Sequence, residues 1–283
     1  MKIILSRKGF DSGYGGYASP ILPDGRLASL PIPDSSDKTT YSELNIASFG
    51  RYYDLMLKLC PKIKEGNKRG SLTANTACHL DPDIYKEVLK RPAQWKGCFG
   101  QIGAAQRHLL NQNVSEGDIF LFFGWFRKTK YDDMAKLMFD RNDSTGVHLI
   151  YGFLQVGEII RTCRDKFPQW LRQHPHVLDN RRFCEKSNTL YLSSDTFSFN
   201  NKIPGYGVFR FNDDLVLTKQ GMTRRCWGLP NCFKNIQISY HGDNSKYGWR
   251  ETYFLSAAKG QEFVIAANDE ILMWTRELIE KSI

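Results

Sequence analysis

Ile119–Phe126 reads IFLFFGWF, and Val147–Ile160 reads VHLIYGFLQVGEII. Both runs are apolar almost throughout and rich in aromatic and branched side chains. A strand with a core on each face reads this way, because neither face needs polar residues. Gly152 and Gly157 interrupt the second run and predict bulges or bends. The two runs set the expected fold class, α+β, with a central, mostly antiparallel, barrel-like sheet and helices packed around it. No linker divides the chain, so residues 1–283 are expected to form a single domain.

Outward from this pair, Lys2–Leu5 reads as a short strand and Thr189–Ser193 as another. Apolar spacing predicts a helix over Phe49–Cys60 and another over Phe99–Leu110. Pro61–Gly70 is basic and reads as a flexible connector. Asp81-Pro82 predicts the cap and first position of a helix over Leu80–Lys90. Asn268 is the expected cap of a last helix, Asp269–Lys281, burying Ile271, Met273, Trp274, Leu278 and Ile279. A loop is expected over 242–247.

The chain has 283 residues and a net charge of +9, which suits a polyanionic partner. No amphipathic basic helix stands out, so nucleic acid is favoured over a membrane surface. Its seven cysteines show no CxxC pair and read as reduced cytosolic thiols. Met1-Lys2 leads into only three apolar residues, Ile3 to Leu5, and no apolar run approaches membrane-spanning length. A cytoplasmic protein is expected. Walker, GxGxxG, GxSxG and HExxH patterns are missing, which lowers the weight of nucleotide-cofactor, serine-hydrolase and zinc-protease chemistries.

Five stretches offer chemistry. Ser6–Pro33, SRKGFDSGYGGYASPILPDGRLASLPIP, combines glycines with Arg7, Lys8, Asp11, Ser12 and Tyr14. That density exceeds what packing needs, and Asp11 beside two cations is a carboxylate held ionised. Gly260–Val264, GQEFV, offers Gln261 and a reserve carboxylate, Glu262. Cys78–Asp83, CHLDPD, supplies His79 and Asp81 as substrate-facing groups; it reads more simply as a cap and polar loop than as a metal motif. Gln101 and Gln106 are expected to face one crevice. Trp125 and Arg127 end the aromatic strand as a stacking face beside a phosphate-binding cation. His241, near glycines, is the histidine to test first, while His174 and His176 with Arg181 and Arg182 read as a basic patch.

Several of these stretches together resemble the nucleotide-modification-associated domain family, described as DNA base hypermodification proteins. They are the opening loop, ACHLDPD, GDIFLFFGWFR with HLIYGFLQVGEII, and GQEFV, so the resemblance spans nearly the whole chain. The central pair is also similar to the core of PUA-like and EVE modules. This implies a small barrel over 115–200 whose pocket accepts a flipped base. A further resemblance is to bacterial anti-phage DNA glycosylases, which remove glucosylated hydroxymethylcytosine from T-even-type phage DNA.

These resemblances imply an enzyme that flips a hypermodified base from phage DNA and hydrolyses its N-glycosidic bond, leaving an abasic site. Such a hydrolysis needs a carboxylate to orient water or stabilise the oxocarbenium-like sugar, and donors for the leaving base. Asp11, Glu262 and His241 are the expected catalytic groups. Arg7, Lys8, Ser12, Tyr14, His79, Asp81, Gln101, Gln106, Trp125, Arg127 and Gln261 are expected to bind substrate. Neither a metal nor an organic cofactor is expected, nor an obligate protein partner. The alternatives are a transferase of a base-hypermodification pathway and a non-catalytic reader of modified bases.

Overall fold

Two long strands, β4 (Ile119–Tyr131) and β6 (Val147–Arg161), form the centre of a nine-stranded mixed sheet. Residues 119–124 and 148–156 are buried without interruption, as continuous apolar runs require. The order across the sheet is β9 (Glu262–Ala266), β1 (Lys2–Arg7), β4, β6, β7 (Thr189–Ser193), β3 (Cys98–Gln101). β5 (Leu137–Phe139) folds back on β4, and β8 (Tyr206–Val208) pairs with β6. β2 (Ser19–Ile21) runs parallel to the far half of β4, as β1 does to its near half. All other pairings within this sheet are antiparallel. This computed structural model describes residues 1–47, 49–241, 246–258 and 260–283. The expected loop over 242–247 therefore lies outside the described residues at positions 242–245.

The sheet is open: β9 and β3 end the row and do not pair with each other. The expected barrel closure is not formed, for a topological reason. The edge of β4 that a closed 115–200 unit would need is occupied by β1 and β2 from the start of the chain. Pairing across distant parts of a chain leaves no local trace in sequence.

β1 and β2 are two segments of one sheet edge, and residues 8–18 are an excursion between them. Lys8 N still donates to Phe123 O at 2.9 Å before the chain leaves the edge. The excursion folds over the buried ring of Phe10, with Gly15 so close that a Cβ would lie 2.0 Å from that ring. Gly15 also exchanges backbone hydrogen bonds with Lys64. Lys64 belongs to a hairpin, Lys62–Glu65 with Lys68–Ser71, where a flexible connector is expected. The glycines of the opening loop thus have packing work after all. Phe10 joins a second core with Tyr41, Leu44 and the buried side of helix α1 (Tyr52–Leu59).

Two further expectations change. Residues 80–90 contain only one short 3-10 turn, Lys86–Val88, because Asp83 and Cys98 exchange backbone hydrogen bonds and hold the segment along the edge of β3. FGQIGAAQRHLL splits into strand β3 and helix α2 (Gly103–Asn111), broken at Gly103 with φ +61°. The last helix, α3 (Asp269–Ser282), is capped by Asn268 Oδ1, which accepts from Ile271 N at 3.0 Å. It buries Ile271, Leu278 and Ile279, half-buries Trp274 against Phe233, and leaves Met273 exposed. Among the described residues no helix is long and apolar enough to cross a membrane.

Candidate active site

The pairing of β4 with β6 slips by one residue: Phe122 faces Gly152 but Phe123 faces Ile150. Tyr151 is the extra residue. Such a bulge re-aims a side chain, and here Tyr151 lines a cavity of about 350 Å³ together with Tyr52, Tyr85, Tyr206, Ser29 and Asp81. Gly152 makes the bulge possible, since a Cβ there would sit 2.6 Å from Gly207 O and from Ile84. The Tyr151 phenol shares the cavity lining with Ser29, and burial drives its pKa upward. Tyr206 packs edge-on against Trp95, whose face carries the Arg91 guanidinium. Arg91 in turn holds Asp83 at 2.5 Å, although burial still pushes that carboxyl up to about 6.

Asp81 is the carboxylate of this lining that stands on the edge of β3; Arg26, Lys86, Glu87 and Arg210 are its other charged members. Asp81 Oδ1 accepts from Gly100 N at 2.8 Å on the edge of β3. Three imidazoles surround it, with His174 Nε2 at 3.4 Å, His176 Nε2 at 3.7 Å and His79 Nε2 at 3.8 Å. His174 and His176 are buried here rather than forming a basic surface patch; the His176 ring fills the space that a side chain at position 100 would need. Burial alone would raise Asp81, but the His174 contact, with His176 and His79 beside it, holds its carboxyl well below the usual carboxylate range. Burial holds His176 neutral, with a pKa lowered to about 3.

The next residue along β3 serves a second buried carboxylate. Gln101 Nε2 donates to Glu262 Oε1 at 2.7 Å, and Lys8 Nζ donates to the same oxygen at 2.7 Å. Lys8 also lies 4.5 Å over the Phe99 ring. Glu262 is fully buried, and its Oε2 has no hydrogen-bond partner among the described residues. Gln261 Oε1 accepts a long contact from Gln101 at 3.4 Å. The structure therefore brings together Lys8, Gln101, Gln261 and Glu262 in one group, and His79 with Asp81 in another.

Other predicted residues are engaged elsewhere. Asp11 is exposed, and its Oδ1 accepts from Gly13 N and Tyr14 N at 2.6 and 2.7 Å, closing its own turn. Ser12 and Tyr14 stand on that turn; Ser12 O accepts from Lys64, and Tyr14 bridges to Glu65. Arg7 donates to Ala257 O and Ala258 O between the Phe123 and Phe263 rings. His241 uses both nitrogens in the fold, donating to Ser239 O and accepting from Ala257 N. Gln106 accepts from Tyr191 rather than sharing a crevice with Gln101. The Trp125 face is covered by Arg224 at 3.7 Å, and Arg127 donates to Asp143 O and Asp140 O. Sequence reasoning missed the four tyrosines. The available signal was Gly152, already a bulge candidate, which marks Tyr151 as the displaced side chain.

A family model described as nucleotide modification associated domain 3 matches residues 2–266. No curated protein and no solved structure matches the chain.

Proposed function

Because the chain belongs to the nucleotide modification associated domain 3 family, we propose that its tyrosine-lined cavity receives a modified base extruded from DNA. The observation that carries this reading is the cavity itself. About 350 Å³ falls in the range of small-molecule sites, and four tyrosines offer stacking faces and hydroxyls in a lining that also carries Asp81, Glu87, Arg26, Lys86 and Arg210. The net charge of +9 supports a polyanionic partner, and the exposed cations Lys62, Lys68 and Arg69 of the hairpin are candidates for phosphate contact.

The reaction proposed is hydrolysis of the N-glycosidic bond of a hypermodified base of the glucosylated hydroxymethylcytosine type, as in defence against phage. Asp81 replaces Asp11 as the proposed carboxylate, since it is ionised and lines the cavity whereas Asp11 closes a surface turn. Its charge would stabilise an oxocarbenium-like sugar or orient water. A non-catalytic reader is the second reading, favoured by two observations: Glu262 is sealed from solvent, and His241 has both nitrogens committed.

The test incubates the protein with glucosylated phage DNA and with unmodified DNA. Released base is measured by mass spectrometry and abasic sites by alkaline cleavage. Base release from the modified DNA supports hydrolysis. Binding of modified DNA with no released base selects the reader. Neither binding nor release by folded protein removes both.

A further inference from the structure

We propose that His79, His176 and Asp81 form a binding site for one divalent transition-metal ion of the zinc class. The ligand atoms are His79 Nε2, His176 Nε2 and Asp81 Oδ2, which all lie within 4.8 Å of one another. The inference rests on this cluster and not on what occupies the cavity.

The tautomers make the case. His176 Nδ1 lies 2.7 Å from Asn188 Oδ1. The orientation of that amide is fixed, because Asn188 Nδ2 donates to the His176 carbonyl at 2.8 Å. His176 Nδ1 therefore carries the proton, and in the neutral ring Nε2 presents a lone pair. His79 Nδ1 likewise donates to Asp37 Oδ2 at 2.8 Å, which leaves its Nε2 to face Asp81. Two imidazole nitrogens thus point at one carboxylate oxygen from 3.7 and 3.8 Å, too far for hydrogen bonds. Lone pairs turned toward an anion across a buried gap are unfavourable unless a cation lies between them. Bonds of about 2.0–2.1 Å to a tetrahedral ion put neighbouring ligands roughly 3.4 Å apart, close to the spacing found.

A second observation points the same way. His174 is buried, and its Nε2 lies 3.4 Å from Asp81 Oδ1 without forming a well-made hydrogen bond. Its Nδ1 accepts from His176 N at 3.3 Å, so Nε2 keeps the proton in the neutral ring and orients the carboxylate rather than binding metal. Every ligand then has an outer partner: Asp37 for His79, Asn188 for His176, and Gly100 N with His174 for Asp81. Metal-binding histidines characteristically have such partners. The adjacent trio Asp34, Asp37 and His79 is a poorer candidate, because the Arg182 guanidinium already pairs with both of its carboxylates.

Two imidazoles and a carboxylate suit zinc or ferrous iron and leave at least one position for water or substrate oxygen. Asp81 lines the cavity, so an ion here lies one side chain from whatever enters. With the site filled, Asp81 would act through the ion rather than as a bare carboxylate.

The test uses full-length protein without DNA, so it is independent of any base-release assay. Metal content is measured on the purified chain, then chelator-treated protein is titrated with Zn²⁺, Co²⁺ and, without oxygen, Fe²⁺. Expected are one equivalent per chain and visible Co²⁺ bands lacking thiolate charge transfer. His176→Ala and Asp81→Asn should weaken binding at least 100-fold, and Asn188→Leu about 10–100-fold. Replacing the exposed thiols, Cys163→Ser and Cys184→Ser, should change nothing. Circular dichroism verifies that each variant is folded. Substoichiometric binding by folded wild-type protein, a thiolate band, or unchanged affinity in folded His176→Ala overturns the proposal. If the ligand variants do not fold, the wild-type stoichiometry and cobalt spectrum still decide.

Discussion

Glu262 and Asp81 are both buried carboxylates, held by consecutive residues of one strand, Gln101 and Gly100. Glu262 meets a full cation at 2.7 Å in Lys8. Among the described residues Asp81 pairs with no lysine or arginine; three imidazoles face it at 3.4–3.8 Å. The first arrangement is closed. It joins the start of the chain to its end, beside the register in which Ser6 faces Glu262. The second keeps a charge inside the protein without neutralising it by direct ion pairing with Lys or Arg, and it adjoins a cavity. The two buried carboxylates differ in whether the opposite charge is built in.

Breaking the Lys8–Glu262 pair has the largest expected effect. Lys8→Met leaves Glu262 charged and unpaired in the interior and should cost about 3–5 kcal/mol in urea unfolding. The double variant Lys8→Met/Glu262→Gln removes the stranded charge and should recover most of that loss. A single-variant cost below about 1 kcal/mol would mean that Glu262 is not held by Lys8 in solution. Asp81→Asn should behave oppositely, losing less stability than Lys8→Met while lowering base release by at least about 10²-fold.

The contrast between the two carboxylates was only half legible in the sequence. GQEFV marks Glu262 as a polar group opening an apolar strand, and the opening loop supplies Lys8. That they meet depends on β1 and β9 pairing across 254 residues of separation. By itself Asp81-Pro82 has the local meaning of a helix cap. The edge of β3 overrode it by supplying backbone partners. His174 and His176 read as surface groups beside Arg181 and Arg182, since nothing local shows that the chain turns them inward. The long strands, the bulge beside Gly152, the slip of β6 against β7 at Gly157 and the Asn268 cap were readable because each follows from neighbours in the chain. The open sheet and the tyrosine cavity were not, because they follow from distant ones.

A buried group outside both clusters should contribute to the response to mild acid, alongside His176. His148 accepts from Trp227 Nε1 at 3.1 Å, and burial, assisted by Arg7, Arg224 and Arg225, lowers its pKa from 6.5 to about 3. The folded state therefore favours the neutral ring and the unfolded chain binds the proton more readily. Its contribution is complete above pH 6.5 and is lost as the pH falls toward about 3, at roughly 1.4 kcal/mol per pH unit. Between pH 6.5 and 5 that amounts to about 2 kcal/mol. His148→Gln retains an acceptor for Trp227 but cannot take up the proton, so its urea midpoint should fall less than that of wild-type protein over this interval. Equal falls would assign the acid sensitivity elsewhere.

The smallest expected effect falls on the loop whose composition drew attention first. Asp11 spends Oδ1 on Gly13 N and Tyr14 N and stands at the surface. Asn in its place keeps a carbonyl oxygen for both donors, so Asp11→Asn should change stability by no more than about 0.5 kcal/mol. It should also leave base release within about twofold, because removing a charge from an exposed turn does not alter the cavity wall. The paired measurement is informative in both directions. A large loss of activity at unchanged stability would bring the opening loop back into the chemistry and make Asp81 a bystander. A neutral result beside an inactive Asp81→Asn would assign the loop to packing over Phe10 and the chemistry to the wall beneath Tyr151.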